Sequence, residues 1–413
     1  MKRNGYTILL AILLIAVLIL SACSPAAEPE AEEPVVEEAA AEEPAAEEPE
    51  AEAEEVEEEE AAVEAEPILI GWMGAASGPM AMLGEWDTRG ILLAFEEVNA
   101  NGGIAGRMLE LVEYDDEADP TKAVGLAEKL ITEDGVVAAF ATTNSTPTLA
   151  VVPIFAEYEI PHITGGINNQ ITQEGSAYVF RDTAAGWVYE TTIVDYVVGL
   201  GYESYAIIAD NSAYGQGEAD AQEAALAEHG LEASVREIFA GEDTDFTGQI
   251  TKIIAADPEV LLCASSDVAC GLVIKQARGM GFEGLAAGPG SLGTAKFIEV
   301  AGDAAEGTLY SAPYISNEMN DITLDWAARY EARWDDVAES HGAKAYDGAM
   351  VLIMAIEACA PDNINGVCIA EELHNVCGYQ GLQGEFCFDE TGEGMTVMNI
   401  GTVLDGELTA VEP

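Results

Sequence analysis

Between Ile68 and Pro120 apolar and polar positions follow a repeating grammar. Ile68–Met73 is a short apolar run, fit for a strand buried on both faces. A Gly-rich stretch follows, and then a helix over 87–99, with Ile91, Leu92, Phe95 and Val98 on one stripe and Glu96 and Glu97 facing outward. Asn101-Gly102-Gly103 stops that helix, because glycine accepts the left-handed conformation a helix end needs. Met108–Tyr114 reads as the next strand. Asp119 is the N-cap of a second helix, with Pro120 at its first position and Ala123, Val124, Ala127, Leu130 and Ile131 at helical spacing. Strand Val136–Phe140, helix Pro147–Glu159 and strand His162–Thr164 complete the series.

The grammar resumes after Arg181. Helix Trp187–Leu200 leads to strand Tyr205–Ala209, helix Gly217–His229 and strand Ala233–Ile238; helix Phe246–Ala256, strand Val260–Cys263, helix Ala269–Met280 and strand Leu285–Ala287 come next. Alternation at this spacing predicts α/β architecture, with parallel sheets covered by helices on both faces. From Ile322 the order changes to helices Ile322–Trp334 and Ala345–Ala358, a third near Ala370–Val376, and strands Gly384–Phe388 and Met395–Leu404. A helical block and a β tail imply that the chain recrosses between lobes. About 350 folded residues exceed one common core, so two lobes are expected.

The N-terminal end carries different information. Lys2 and Arg3 precede the apolar run Ile8–Leu20 and the small residues Ser21 and Ala22, the pattern of a secretory signal. Leu20-Ser21-Ala22-Cys23 resembles a bacterial lipoprotein processing site, which implies cleavage before Cys23 and lipidation of its thiol. Residues 23–66 are nearly all Ala, Glu, Pro and Val, with 20 Glu between Glu28 and Glu66 and no Lys or Arg. Such a stretch cannot bury enough apolar surface to offset its ordering entropy and reads as an extended tether. At about 3.1 Å per residue it would reach on the order of 100 Å. The chain's formal charge of −61 argues against nucleic acid and anionic lipid surfaces as partners. Beyond Cys23 the cysteines are even in number, which in an exported chain favours disulfides. Sequence-near pairing is expected, Cys263–Cys270, Cys359–Cys368 and Cys377–Cys387, because those pairs could close short turns; zinc is the rival, without a CxxC or Cys/His pair at ligand spacing.

Ligands of open parallel sheets bind beyond the carboxyl ends of the strands. The loops there are rich in Gly, Ser, Thr and Asn, able to hold a small anionic or zwitterionic group with hydroxyls, amides and backbone N–H groups. The row Thr142-Thr143-Asn144-Ser145-Thr146-Pro147 is the most suggestive, although helix capping is its plainer role. Tyr214, in the loop after Tyr205–Ala209, is placed to close over a ligand or simply to pack. Trp86 and Trp187 are candidate apolar walls, or core. Signs of catalysis are thin. Pro289-Gly290-Ser291-Leu292-Gly293 has Pro where a nucleophile elbow needs its first Gly, and the four His lie in no metal or triad spacing. No phosphate loop or dinucleotide fingerprint is present, so neither a cofactor nor an enzyme is expected.

The segments SGPMAMLG, VNANGGIAGRMLELVEYDDEADPTKAVGLAEKL, DTDFTGQITKI and KQARGMGF, taken together, resemble the branched-chain amino acid (Leu/Ile/Val) substrate-binding proteins of ABC importers, over about Ile68 to Thr402. The resemblance implies a type I periplasmic-binding-protein fold: two doubly wound parallel-sheet lobes joined by a three-strand hinge. The expected division is a signal over 1–22, the tether over 23–66, an N-terminal lobe over 67–183 plus about 315–382, and a C-terminal lobe over 184–314 plus about 383–413. Family ligand contacts fall on Thr142 with Thr143 beside it, on Gly166, Ile167 and Asn168, and on Tyr214. Three positions depart from the family pattern. An aromatic becomes Leu83, near Trp86; a tyrosine becomes Ser266; and the acid that meets the ligand's ammonium becomes Gly290, with Asp210 and Asp267 as possible substitutes. Amino acids, amides, urea-like compounds and small carboxylates therefore all stay open. The expected role is a monomeric extracytoplasmic lipoprotein that captures a small polar ligand and hands it to an ABC permease with its ATPase subunits. A ligand-sensing domain of the same fold is the alternative.

Overall fold

Ile68–Gly74 (β1) forms a strand because nearly every one of its side chains is buried, and a short apolar run satisfies both faces of a covered sheet. It lies inside a five-stranded sheet in a computed structural model that describes residues 65–173, 175–315, 321–395 and 398–411. The leader, Cys23 and nearly all of the acidic tether lie outside the described residues. Among the described residues no helix is long and apolar enough to cross a membrane.

The first lobe continues with α1 (Ala81–Ala100), β2 (Leu109–Asp115), α2 (Pro120–Lys129), β3 (Ala138–Ala141), α3 (Ser145–Glu157), β4 (His162–Thr164), α4 (Gln170–Gln173) and β5 (Val179–Arg181). The strand order β2-β1-β3-β4-β5 is parallel throughout. Asp119 caps α2 as its sequence suggests, accepting the N–H groups of Thr121 at 2.7 Å and Lys122 at 3.1 Å. α1 starts at Ala81 rather than near residue 87, since Ala81–Trp86 contains no turn-forming residue except Gly84, which sits buried in the helix.

The second lobe runs through α5 (Gly186–Gly199), β6 (Tyr205–Asp210), α6 (Ala213–Glu228), β7 (Ala233–Phe239), α7 (Thr247–Ala255), β8 (Val260–Ala264), α8 (Asp267–Gly279), β9 (Leu285–Gly288), α9 (Ala295–Ala301) and β10 (Leu309–Ala312). The chain then contributes α10 (Asp321–Trp334), α11 (Ser340–Cys359), α12 (Gly366–His374) and a hairpin of β11 (Cys377–Gln380) and β12 (Glu385–Cys387). Trp326, Tyr330, Ile353, Ile356, Leu373 and Phe386 of this block share one core with Ile68, Ile70 and Phe95, so it belongs to the first lobe. α11 lies hard against α1: a Cβ on Gly90 would collide with the Gly342 carbonyl. β13 (Asn399–Leu404) and β14 (Glu407–Ala410) return to the second sheet, ordered β14-β13-β10-β9-β8-β6-β7, and join it antiparallel.

The return comes later than a boundary near 383. Phe386, Phe388 and Met395 still pack in the first-lobe core. The strand expected over Met395–Leu404 starts only at Asn399 for the same reason. Disulfides join Cys263 to Cys270, Cys359 to Cys368 and Cys377 to Cys387. The first spans the turn from β8 into α8, the second ties α11 to α12, and the third crosses the hairpin.

Candidate functional site

The carboxyl ends of both sheets face one another across a cavity of about 250 Å³. Its first-lobe wall comes from the loop and helix after β1 (Met80, Leu83), the turn after β3 (Thr143 to Pro147), and Gly165 and Ile167 after β4. Its second-lobe wall comes from Asp210 and Tyr214 after β6, Ser265 to Asp267 after β8, and Gly290 and Ser291 after β9. Ser340, His341 and Lys344 enter from the start of α11.

Short polar side chains fix the second wall. The Ser212 hydroxyl caps α6 by accepting the Gly215 N–H at 3.1 Å, and Asp210 accepts the Ser265 hydroxyl at 2.5 Å and the Ser212 N–H at 2.7 Å. Ser266 caps α8 through the Ala269 N–H at 3.3 Å, which leaves the serine's own hydrogen free to donate. Asp267 accepts from the Val268 N–H at 2.7 Å and the Thr294 hydroxyl at 3.2 Å, while burial pushes its carboxyl above the ordinary range. Tyr214 reaches the Ser291 hydroxyl at 3.3 Å.

Along the first wall the hydroxyl row divides. Thr143 lines the cavity and donates to Asp87. Burial, with Asp182 and Glu339 nearby, pushes the Asp87 carboxyl up to about 8 despite the opposing pull of Lys344. A carboxyl that keeps its proton near neutral pH can donate to Thr143 instead, releasing the threonine's hydrogen for a ligand. Thr142 lies behind this wall, 2% exposed, and is spent on Asn144, Thr148 and, through its carbonyl, Thr164.

Other expected contacts separate in the same way. Leu83, Thr143, Ile167, Tyr214, Ser266 and Gly290 are gathered around the cavity, as are both acids named as substitutes, Asp210 and Asp267. Thr142, Gly166, Asn168 and Trp86 do not line it. Gly166 and Asn168 are held by Arg181, whose buried guanidinium donates to both carbonyls and pairs with Glu393 at 3.0 Å. Asn168 also donates to the Ala213 carbonyl, and the Ala213 N–H donates to the Thr146 hydroxyl at 3.2 Å. These two bonds clasp the lobes together beside the cavity. Trp86 is buried and stacks on His341 with 5.7 Å between ring centroids, so it backs the cavity through the histidine. Trp187 is 49% exposed and away from the cavity.

Lys344 and His341 are the site residues that pattern reading passes over. A signal was present: from Ala343 to Ile356 the chain is apolar or small except for Lys344, Tyr346 and Asp347, and a lysine in such a stripe calls for a reason. Burial and the Lys344 charge hold His341 well below its ordinary value, so its ring is neutral. Glu339, pushed up to about 7 by burial, caps α11 through the His341 N–H at 2.7 Å and the Gly342 N–H.

Two α/β lobes that meet over a cleft, with neutral donors and caps at the strand tips, define the two-lobed class of small-ligand binding proteins. A model of the periplasmic binding protein family matches residues 67–407, and the chain belongs to that family. A leucine-, isoleucine-, valine-, threonine- and alanine-binding protein of Pseudomonas aeruginosa is 27% identical over 339 residues, 80% of this chain and 88% of its own length. A leucine-binding protein from Thermotoga maritima superposes with a TM-score of 0.78 at 24% identity, covering 84% of this chain and 98% of that one. A branched-chain amino acid transporter substrate-binding protein from Streptococcus pneumoniae, solved with isoleucine, gives 0.76 at 24% identity over 84% and 100% of the two chains. These superpositions show the type I fold, and the family's members are binding proteins rather than enzymes.

Proposed function

We propose that this chain is the solute-binding subunit of an ABC importer, held outside the cytoplasm by a lipid on Cys23 and by the acidic tether. It works as a monomer, captures one small polar ligand in the cleft, and passes it to a permease driven by ATPase subunits. The observation that carries this reading is a cavity of about 250 Å³ with walls from the strand tips of both lobes. That volume lies below the roughly 300–1,000 Å³ of drug-sized pockets and suits something the size of an amino acid. A ligand that touches both walls binds the closed form better than the open one, and that difference drives closure. The names of the relatives favour an aliphatic amino acid. With Gly290 in place of an acid, Asp267 and Asp210 are the groups that would meet an ammonium.

Thermal-shift screening of the purified full chain against amino acids, amides, urea and short carboxylates tests the reading. A true ligand should raise Tm in step with its concentration over its dissociation constant, by about 2.7 kcal/mol of stabilisation at a hundredfold excess over Kd. Turnover of a compound in the cleft, or a Tm unmoved by every compound, would count against it.

A further inference from the structure

The first-lobe wall contains a cation with no direct ion-pair partner among the described residues. Lys344, near the start of α11, is 6% exposed and lines the cavity. Among the described residues none hydrogen-bonds to its Nζ, and no carboxylate lies within ion-pair distance. A buried ammonium is costly unless an anion meets it. Asp87, Asp182 and Glu339 are near enough for their titration to respond to its charge, yet burial pushes all three carboxyls toward their neutral forms. None of the three makes a direct ion pair with it.

The surroundings shape an opening toward the cleft. Gly165, at the tip of β4, has no side chain where the lysine arrives, and a Cβ there would collide with Nζ. On the same wall the Ser145 hydroxyl accepts the Asn168 N–H at 3.2 Å and keeps its own hydrogen to donate. The facing wall holds Asp210 and Asp267. The cleft is therefore polarised, cationic on the first lobe and acidic on the second.

We propose that Lys344 is the counter-ion for an anionic group on the ligand, and that the cleft takes small carboxylates, zwitterionic amino acids among them, in preference to neutral amides and ureas. This rests on the cleft being the ligand site. Closure excludes water and strengthens the pair. An uncharged amide group in place of the carboxylate leaves the Lys344 ammonium buried and unpaired, and a site with such a group rejects the analogue that cannot meet it. Lys344 thus separates ligands that the departures at Leu83, Ser266 and Gly290 leave open.

Isothermal titration of the full chain with leucine, alanine and glutamate, set against leucinamide, alaninamide and urea, reads this directly. At least one acid should bind, with its amide weaker by a factor of at least about 30. Lys344→Met should weaken that acid by a similar factor and erase most of the acid-to-amide ratio. Wild-type amides that bind as tightly as the acids would overturn the proposal and leave the binding-protein reading standing. So would a Lys344→Met chain with a lowered Tm and unchanged acid affinity, the signature of a merely structural lysine. Silence from all six compounds would overturn this proposal by removing the cleft reading beneath it.

Discussion

Thr142 and Thr143 are neighbours with opposite surroundings. Thr142 sits in a buried hydroxyl network with Thr148, which in turn bonds Thr164 at 3.1 Å. Thr142→Ala should therefore lower stability by about 1–2 kcal/mol and leave affinity within about twofold. Thr143→Ala should weaken the ligand about tenfold, with a smaller loss of stability. Denaturation and calorimetry on the two variants check this, and the opposite pattern would relocate the site. The sequence displays the hydroxyl row plainly, yet which member faces the cleft depends on the turn that leaves β3, and no periodicity governs a turn. Gly290 is a different case, since its departure from the family is legible and the structure adds the space. A Cβ there would have only ordinary contacts, 3.4 Å to the Ser311 carbonyl and to the Tyr189 ring. Gly290→Glu should fold and tighten amino-acid binding about tenfold by facing the ammonium; weaker binding by calorimetry would contradict it.

At the scale of elements, long runs with a clear period were legible and short or interrupted ones were not. α2, with its Asp119 cap and Pro120, begins where the pattern puts it. β5 and β11 are three and four residues long, too brief to show a rhythm. α11 begins at Ser340, ahead of the expected Ala345, because Glu339 supplies a cap that an apolar stripe does not reveal. That difference of a turn is what hid His341 and Lys344. The β8–α8 connection carries Ser265, Ser266 and Asp267 between the two ends of a buried disulfide, Cys263–Cys270. Replacing both cysteines by alanine should cost about 2–3 kcal/mol by the loop-entropy estimate and weaken the ligand as this segment loosens. Mass mapping that finds both thiols free, or a double variant with wild-type Tm and Kd, would contradict that role.

Seen whole, the two lobes were legible because alternating strands and helices admit few arrangements. Phe386, Phe388 and Met395 fit a strand of either lobe by their pattern, and only packing assigns them to the first-lobe core. The interior also holds several carboxyls that burial pushes up: Asp87 to about 8, Glu339 and Asp347 to about 7, and the facing pair Glu190 and Glu218 also above their ordinary range. Each binds a proton in the folded state that the unfolded chain, with carboxyls near 4, has already lost. Their contribution is full below about 4 and disappears as pH rises through the folded values. His162 and His341, pushed down by burial, oppose this only below their ordinary value near 6.5. Tm should therefore fall by at least about 5 °C between pH 6.5 and 8.5, and Glu218→Gln should flatten the fall; a flat or rising wild-type profile would contradict it. The most direct test of the whole account is a crystal structure with the compound that stabilises the chain best. The account predicts density for that compound, unaltered, between Thr143, Ser145 and Lys344 on one wall and Tyr214 and Asp267 on the other. Density at any other place, or a chemically changed compound in the cleft, would contradict it.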